Sequence, residues 1–220
     1  MRGNVIKAVE NEKIIVILRG IESKKIIPLA EAMYAGGIRL LEVTYDATSK
    51  IPHEETAADI KALKEHFGDR MCIGAGTVLT EKQVELTKAA GGEFIISPDA
   101  NESVIKKTVE LGLVSIPGAL TPTEIQAAHR AGADFVKLFP IVSMGPSYVK
   151  AVKAPLSNIK LLAVGGVDLD NISEYFAAGI CGIGLASNIT DKKLIAEENF
   201  EGITELAKKY VSAVRGASNG

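Results

Sequence analysis

Eight short apolar runs, rich in Ile and Val, recur along the chain and alternate with polar, helix-periodic segments of about 10–15 residues. Strands that alternate with helices pair in parallel, because a parallel pair needs a long crossover connection. The runs are apolar at nearly every position, which is typical of strands covered on both faces of a sheet. They span residues 14–20, 39–45, 71–78, 93–98, 113–119, 134–140, 160–167 and 180–187.

Eight such repeats in 220 residues predict an α/β fold, a compact (β/α)8 TIM barrel whose bottom is closed by an N-terminal capping helix near residues 2–11. The alternative is an open doubly wound sheet, but that fold usually has a glycine-rich dinucleotide turn after its first strand. Here the turn reads RGIES, which lacks that motif. No Pro- or Ser-rich linker interrupts the pattern, so we expect a single domain over residues 1–216 and a flexible tail over 217–220.

Helix-starting residues precede several of the polar segments. Ser23 and Thr80 are predicted N-caps, and Thr121 is a third, followed by Pro122 at the first helical position. Glycines end several of these segments, where a residue in the left-handed conformation closes a helix. These signals support the assignment of the segments to helices.

The charge balance and the scarcity of metal ligands exclude several classes of function. The chain has 25 basic and 27 acidic side chains, so it lacks the basic surface that nucleic-acid binding needs. Its three histidines, His53, His66 and His129, are scattered, so we expect no metal site. The two distant cysteines, Cys72 and Cys181, indicate no disulfide framework and favour a reducing, cytoplasmic environment. No stretch has the roughly 20 apolar residues that span a bilayer, and the polar N-terminus does not resemble a signal peptide.

Lys137 is a charged residue in the middle of an apolar run that is expected to be a buried strand. Strand alternation places Phe135, Lys137 and Phe139 on one face of that strand. If this face points into the barrel, desolvation lowers the pKa of the amine and frees its lone pair for attack on a carbonyl group. The structural alternative is a lysine whose ammonium reaches the rim of the barrel or pairs with a buried carboxylate.

Glu42 is a second polar residue in an apolar run. Alternation places it on the face opposite Leu41 and Val43, so the carboxylate is expected to point into the barrel. Burial raises the pKa of a carboxylate toward neutrality, which suits a general acid or base. The alternative is a structural ion pair with Arg19, Arg39 or Lys137.

Three further features at strand ends suit the binding of anions, and each has a structural alternative. Arg19 closes the first strand, where its guanidinium could hold a carboxylate or phosphate, or pair with a surface acid. Thr77 follows small residues that let a ligand approach the backbone, although the same glycines suit barrel packing. The last two strands end in glycine-rich turns at 165–166 and 182–187, where phosphate sites of this architecture often lie. Turn glycines without a ligand explain that pattern equally well.

Together these residues resemble the 2-keto-3-deoxy-6-phosphogluconate / 4-hydroxy-2-oxoglutarate aldolase family. The resemblance covers nearly the whole chain, and the order and spacing of its motifs are far more specific than any one of them. The matching stretches are IIVILR (14–19), GGIRLLEVT (36–44), GAGTV (74–78), ISP (96–98), PG (117–118), LTPTE (120–124), VKLFP (136–140) and GGV (165–167).

The resemblance implies a class I aldolase, usually a trimer, that uses a lysine Schiff base and needs no metal or organic cofactor. Its substrate would be a small keto acid, 2-keto-3-deoxy-6-phosphogluconate or 4-hydroxy-2-oxoglutarate, cleaved to pyruvate and glyceraldehyde 3-phosphate or glyoxylate. Lys137 would form the Schiff base, Glu42 would act as acid and base, and Thr77 would hold the pyruvate carboxylate. The other implied substrate-binding residues, of which the glycines would face the distal phosphate, are Arg19, Pro98, Phe139, Gly165, Gly166, Gly184 and Ser187.

The sequence departs from the family pattern at positions that bind substrate. Where many members have an arginine for the substrate carboxylate, this chain has Asp46, so either Arg19 takes that role or the substrate differs. The threonine expected before the Gly165-Gly166 turn is Val164, and the expected Gly-Ser pair reads Leu185-Ala186, with Ser187 one position later. These changes weaken the expected phosphate site.

The sequence leaves two other interpretations of the function open. One is a phosphosugar barrel isomerase or epimerase, with Glu42 as the base and no imine, and the other is a barrel that binds a sugar acid without catalysis. Within the aldolase interpretation, the substrate is equally open to a non-phosphorylated or a galactonate-type keto-deoxy acid.

Overall fold

Each predicted apolar run forms β-structure in the computed structural model, which describes residues 2–48 and 50–218. The strands form one parallel sheet, in the order β5-β4-β3-β2-β1-β9-β8-β7-β6. They are β1 (Ile14–Leu18), β2 (Leu40–Thr44), β3 (Cys72–Gly76), β4 (Phe94–Ile96), β5 (Val114–Ile116), β6 (Gly118–Ala119), β7 (Val136–Leu138), β8 (Leu161–Val164) and β9 (Gly182–Leu185).

The run at 113–119 forms two strands instead of the one predicted, because Pro117 has no amide hydrogen to continue the ladder. The segment before Pro117, β5, pairs with β4, and the segment after it, β6, pairs with β7. Because β5 and β6 are the two end strands of the sheet and are joined by this proline, the sheet curves round until its two ends meet there. The predicted (β/α)8 barrel is confirmed as a nearly closed parallel barrel surrounded by helices.

The polar segments form the expected helices, with one boundary differing from the prediction. Capping boxes begin α4 at Thr80 and α6 at Thr121, as predicted. The prediction that Ser23 is an N-cap was wrong, because the extended residue before α2 is Glu22 and Ser23 is the first helical residue. The helices are α1 (Arg2–Glu12), α2 (Ser23–Ala35), α3 (His53–Phe67), α4 (Glu81–Ala89), α5 (Glu102–Glu110), α6 (Pro122–Arg130), α7 (Gly145–Lys153), α8 (Ile172–Ala177), α9 (Lys192–Ala196) and α10 (Phe200–Ser218), with a 3-10 turn at Gly68–Arg70.

The expected tail at 217–220 overlaps the end of α10. That helix includes residues 217 and 218, whereas residues 219 and 220 lie outside the described residues. No helix among the described residues is long and apolar enough to cross a membrane. Within the same residues, no group of three or more His, Cys, Asp or Glu side chains is arranged to hold a metal ion.

The N-terminal helix closes the bottom of the barrel, as the sequence predicted. Val5 and Val9 of α1 are 2% and 1% exposed and pack into the barrel interior. Phe94 of β4, Leu162 of β8 and Phe135, which precedes β7, belong to the same interior cluster. The larger apolar cluster lies between the outer faces of the strands and the surrounding helices. Side chains that face the barrel interior are therefore separated from the helix-facing core.

An ion pair fastens α1 to the barrel. Arg2 donates two hydrogen bonds from Nη2 to the carboxylate of Asp134, at 2.9 and 3.0 Å. The same carboxylate accepts a hydrogen bond from the amide of Ser115 at 2.9 Å. The side chains of Arg2 and Asp134 are only 33% and 11% exposed, so water screens this pair less than a surface pair.

We therefore expect Asp134→Asn to lower the free energy of unfolding by about 1–2 kcal/mol, the effect of losing charge-assisted hydrogen bonds at a half-buried site. Urea unfolding at neutral pH measures this. As a matched control, Lys208→Gln breaks an exposed pair with Glu205 and should change the free energy by less than about 0.5 kcal/mol. If the two variants are equally stable, Asp134 does not fasten the helix.

Both cysteines lie at the bottom of the barrel and pack against the interior cluster. Cys72 and Cys181 are free thiols. Burial is the main cause that raises the pKa of each thiol to about 11. Neither sulfur lines a cavity at the opposite end, where the strands terminate.

Candidate active site

The carboxyl ends of the strands surround a cavity of about 470 Å³, which we call the central cavity. Parallel strands in a barrel all end at the same mouth, and the loops that follow them line it. Lys137 and all eight of the residues expected to bind substrate line this cavity, whereas Glu42 is buried among the strands. The lining residues are Ile17, Arg19, Thr77, Pro98, Lys137, Phe139, Val164, Gly165, Gly166, Val167, Gly184, Ala186, Ser187 and Asn188.

Lys137 lies in the middle of β7 and points into the barrel, as strand alternation predicted. The residue is 6% exposed, and its Nζ lies 4.4 Å from the centre of the Phe139 ring. Burial lowers the pKa of the amine; the Glu42 charge raises it, and the Arg19 charge lowers it further. Within the described residues the amine forms neither a hydrogen bond nor an ion pair. It is therefore available to react with a ligand in the cavity.

Glu42 lies in β2, which β1, β9 and β8 separate from the Lys137 strand, and is 1% exposed. Burial raises the pKa of the carboxyl group, while the charges of Lys137 and Arg19 lower it. Arg39, a predicted alternative partner, instead donates hydrogen bonds to the carbonyl oxygens of Tyr34 and Ile38. In the part of the chain that the structure describes, the carboxylate forms no ion pair, which argues against a purely structural role.

The carboxylate of Glu42 fits into the barrel because residue 76 in the neighbouring strand is glycine. A methyl group on Gly76 would overlap the Oε1 atom of Glu42. Glu42 and Gly74 are paired in register, which places Gly76 one step further toward the mouth. From the sequence, these glycines suit ligand approach or barrel packing, and Gly76 serves packing, because it makes room for the acid. A Glu in one apolar strand beside a Gly-x-Gly strand is the signal that was missed.

Arg19 and Thr77 form a polar pair at the mouth. The Arg19 Nη2 atom donates a hydrogen bond to Thr77 Oγ1 at 3.0 Å. Thr77 has φ of +55°, which is unusual for a β-branched residue and is characteristic of functional sites. Both residues line the central cavity, so the remaining guanidinium donors are available to an anion there.

The turn after β8 forms an apolar end of the central cavity. Gly165 and Gly166 both have positive φ, +88° and +85°, which favours glycine. A Cβ added at Gly166 would lie 2.8 Å from the Cβ of Val142, and one at Gly165 would lie 3.9 Å from the Phe139 ring. Val164 likewise packs directly over Gly184. Polar side chains also lie at this turn: Asn171 donates from Nδ2 to the carbonyl oxygen of Gly166 at 2.9 Å, and Asn188 donates to that of Val167 at 3.3 Å.

Asp46, where the family resemblance led us to expect an arginine, binds backbone groups of its own loop. Its carboxylate accepts hydrogen bonds from the amides of Thr48, Lys50 and Ile51, at 2.9 to 3.1 Å. These bonds, with that from the Thr48 hydroxyl, lower the pKa of Asp46 to about 2. Asp46 is absent from the lining of the central cavity. The acid therefore organises the loop, and Arg19 is the guanidinium that lines the cavity.

Comparison with known proteins agrees with this geometry. The model of the KDPG and KHG aldolase family matches residues 5–206. The chain is 34% identical to 2-dehydro-3-deoxy-6-phosphogalactonate aldolase of Escherichia coli over 92% of this chain and 96% of that protein. It is 31% identical to 2-dehydro-3-deoxy-phosphogluconate aldolase of Haemophilus influenzae, over 96% and 97% of the two chains.

A solved structure gives the same result. KDPG aldolase from Legionella pneumophila, with pyruvate captured as a covalent carbinolamine intermediate, superposes with a TM-score of 0.83 at 30% identity. The match covers 94% of this chain and 97% of that one. The chain therefore belongs to the KDPG and KHG aldolase family, whose members are carbon–carbon lyases.

Proposed function

We propose that the protein is a class I aldolase that cleaves a 2-keto-3-deoxy sugar acid to pyruvate and an aldehyde through an imine on Lys137. The observation that carries the proposal is the buried, unpaired amine of Lys137 in the central cavity, with the buried carboxyl of Glu42 near enough to shift its pKa. The relatives support a phosphorylated six-carbon acid of the gluconate or galactonate series, and 4-hydroxy-2-oxoglutarate is the shorter candidate.

Imine formation uses the lowered pKa of Lys137. Its neutral amine adds to the C2 ketone, and the carbonyl oxygen takes a proton to give a carbinolamine. Loss of water then leaves a protonated imine. The Legionella relative, in which pyruvate was captured as a carbinolamine, supports this step. The Phe139 ring lies 4.4 Å from Nζ, so its π-face stabilises the cationic imine nitrogen.

Cleavage follows from the charge on the imine. Glu42, acting through a water, removes the proton from the C4 hydroxyl, and the C3–C4 bond breaks with its electron pair moving toward the iminium. The aldehyde leaves, and an enamine of pyruvate remains on Lys137. Protonation at C3 and addition of water to the imine release pyruvate and restore the amine. Because the imine accepts the electrons, this chemistry needs no metal or organic cofactor.

The remaining cavity residues position the substrate in this proposal. Arg19 and Thr77 hold the C1 carboxylate, which gives Arg19 the role that the missing arginine would have. Pro98 and Phe139 line the reacting carbons. We assign the contacts with the rest of the substrate to Gly165, Gly166, Gly184 and Ser187. We also propose a single domain, because no linker interrupts the pattern, and a cytoplasmic location, because the two cysteines are distant; the homotrimer is proposed from the family resemblance alone.

We expect borohydride reduction in the presence of pyruvate to attach one reduced pyruvate to the protein, with peptide mapping placing it on Lys137. Borohydride traps an imine because it reduces the C=N bond to a stable secondary amine. Intact-mass measurement detects the adduct. The controls are borohydride without pyruvate, and pyruvate without borohydride.

An adduct on another lysine would reject the assignment of Lys137. A folded protein that forms no adduct would reject the imine mechanism. In that case the isomerase or epimerase interpretation, with Glu42 as a base, would be favoured.

A further inference from the structure

A cavity of about 300 Å³ lies between the ends of β1 and β2 and the first turns of α2 and α3. Three of its lining residues, Leu18, Ile26 and Val43, belong to the apolar cluster between the strands and the surrounding helices. It shares no lining residue with the central cavity, so a ligand bound in it would be separate from the proposed substrate site. Its volume is at the lower end of the range for small-molecule sites. We call it the acidic cavity.

The charged side chains that line the acidic cavity are all acids. They are Glu22, Glu55 and Asp59, and no lysine, arginine or histidine of the described residues lines it. Glu22 is paired with Lys24 at 2.9 Å. Glu55 and Asp59 form no ion pair with any residue among 2–48 and 50–218. They lie four residues apart on α3, where two like charges repel each other. A ligand in this cavity therefore meets a net negative charge.

The position of Asp59 in α3 gives it no helix-capping role. Glu54 and Glu55 lie in the first turn of that helix, where acids interact favourably with the helix dipole. Asp59 lies in the second turn, beyond the reach of that effect. Burial raises the pKa of the Asp59 carboxyl, the Ser23 hydroxyl lowers it, and the charge of Glu55 raises it. Asp59 is thus a partly desolvated acid without a counter-charge from the part of the chain that the structure describes.

Thr56 adds a polar group that lacks a partner. The residue is only 5% exposed and lines the acidic cavity. In other helices, the buried Thr87 and Thr108 donate to the carbonyl oxygen four residues earlier, at 2.8 and 2.7 Å. The Thr56 hydroxyl forms no such bond and none with any other described residue. Because no side-chain oxygen or nitrogen of these residues is both fully buried and unpaired, the hydroxyl reaches the cavity, where a ligand or solvent satisfies it.

The rest of the acidic cavity is mostly apolar. Leu18, Ile26 and Val43 are 1%, 2% and 5% exposed and form its wall toward the core. Ile51, which is 42% exposed, lines it as well, so the apolar wall continues to the surface. The Thr44 hydroxyl donates to the carbonyl oxygen of Leu18 at 3.3 Å, so its proton is already used. The cavity therefore suits a ligand with a cationic donor group and a short apolar segment.

We propose that the acidic cavity binds a small organic cation, a primary ammonium carried on a short aliphatic chain. An ammonium has three donors and no acceptor. Those donors match three acceptors, the carboxylates of Glu55 and Asp59 and the hydroxyl oxygen of Thr56. The aliphatic chain packs on Leu18 and Val43. Within the described residues no group of three or more His, Cys, Asp or Glu side chains suits a metal ion, which favours the organic cation. This site goes beyond the proposed function and does not depend on it.

The test is a titration of the isotope-labelled parent protein with butan-1-amine hydrochloride at neutral pH, followed by two-dimensional NMR. Butan-1-ol, a neutral molecule of the same shape, is the matched probe. We expect saturable shifts of amide signals in residues 20–26 and 51–60, with a Kd of about 1–10 mM for the amine, the range of small fragments. The alcohol should bind at least about tenfold more weakly, because it lacks the charge.

Two matched variants test the carboxylates. Glu54 and Glu55 are neighbouring, exposed acids in the first turn of α3, but only Glu55 lines the acidic cavity. We expect Glu55→Gln to raise the Kd for butan-1-amine about tenfold, the effect of one charge-assisted hydrogen bond. Glu54→Gln removes the same charge from the same helix end and should change the Kd by less than about twofold. Asp59→Asn should weaken binding about as much as Glu55→Gln.

Thr56→Val tests the hydroxyl. Valine keeps the shape of the side chain, and we expect the Kd for butan-1-amine to rise about threefold. Urea unfolding of each variant checks that the fold is intact.

Several results would overturn the site. Equal effects of Glu54→Gln and Glu55→Gln would show that the amine is attracted by the surface charge of α3 alone. Equal affinity for the amine and the alcohol would show an apolar cavity without cation recognition. Shifts confined to residues that line the central cavity, or no saturable shift below about 100 mM amine, would also reject the proposal. The borohydride experiment with pyruvate is independent of all these outcomes.

Discussion

Lys137→Met is expected to reduce kcat/KM for aldol cleavage by at least about 10,000-fold, because methionine cannot form an imine. The side chains have similar length, so the strand and the Phe139 contact remain. A coupled assay for pyruvate release measures the loss. Borohydride and pyruvate should leave the mass of the variant unchanged.

Lys160→Met is the matched control for this variant. Lys160 also lies over an aromatic ring, with its Nζ 5.4 Å from the centre of Phe135, but it pairs with Glu10 of α1 at the bottom of the barrel. We expect this variant to retain full activity. A Lys137→Met protein with undiminished turnover would show that the nucleophile is elsewhere.

The free energy of unfolding of the Lys137→Met variant shows whether a loss of activity comes from lost chemistry or from a disrupted fold. Burial lowers the pKa of Lys137 in the folded state below its ordinary value of 10.5, so the folded protein releases this proton more readily than the unfolded chain. By linkage, the parent protein gains stability as pH rises from the lowered pKa to the ordinary one. The variant lacks that gain. At neutral pH we expect it to be at least as stable as the parent, because it buries no ammonium group.

Glu42→Gln is expected to lower kcat about 100-fold to 10,000-fold, the usual contribution of a general acid or base. Glutamine fills the same space over Gly76 but cannot take up the proton of the C4 hydroxyl. Stopped or continuous assay of pyruvate release measures kcat.

The same substitution also tests the pH dependence of stability. Because burial raises the pKa of Glu42, the folded parent binds its proton more tightly and loses stability as pH rises through the range above 4.5. The neutral variant should show no such loss.

Glu93→Gln provides the contrast for this second prediction. Glu93 is a half-buried carboxylate that pairs with Lys64 at 3.0 Å and accepts a hydrogen bond from the amide of Ile73, away from the mouth. The Glu93→Gln variant should lose stability and keep its activity. The Glu42→Gln variant should lose activity and keep its stability. If Glu42→Gln retains the parent kcat, the proton acceptor is another group, and the carboxyl is structural.

The two residues proposed to carry the chemistry could be found from the sequence because a barrel strand is apolar on both faces. In such a strand a single charged residue stands out, and period-two alternation determines the face on which it lies. Lys137 between Phe135 and Phe139, and Glu42 between Leu41 and Val43, satisfy both conditions. Their inward orientation in the structure follows from the same alternation.

Other features depend on contacts between distant segments and could not be predicted. The closure of the sheet on either side of Pro117 depends on which strands meet there, which periodicity does not encode. Thr77 adopts positive φ beside Arg19, although its residue type disfavours that conformation. Another cavity, of about 700 Å³, is lined by Lys25 of α2 and Lys192 of α9, and neither residue belongs to a recognisable motif. The role of Asp46 could not be predicted either, because the hydrogen bonds that it accepts from its own loop are not evident in the sequence.

The raised pKa of both native thiols has a practical consequence for spectroscopy. With a pKa of about 11, each sulfur at neutral pH is thiolate in on the order of one molecule in ten thousand, and maleimide reagents consume the thiolate. A cysteine engineered on the rim of the mouth would thus outcompete Cys72 and Cys181 for a fluorescent dye. Ligand entry could then be followed by fluorescence in a protein that keeps both of its natural sulfhydryls.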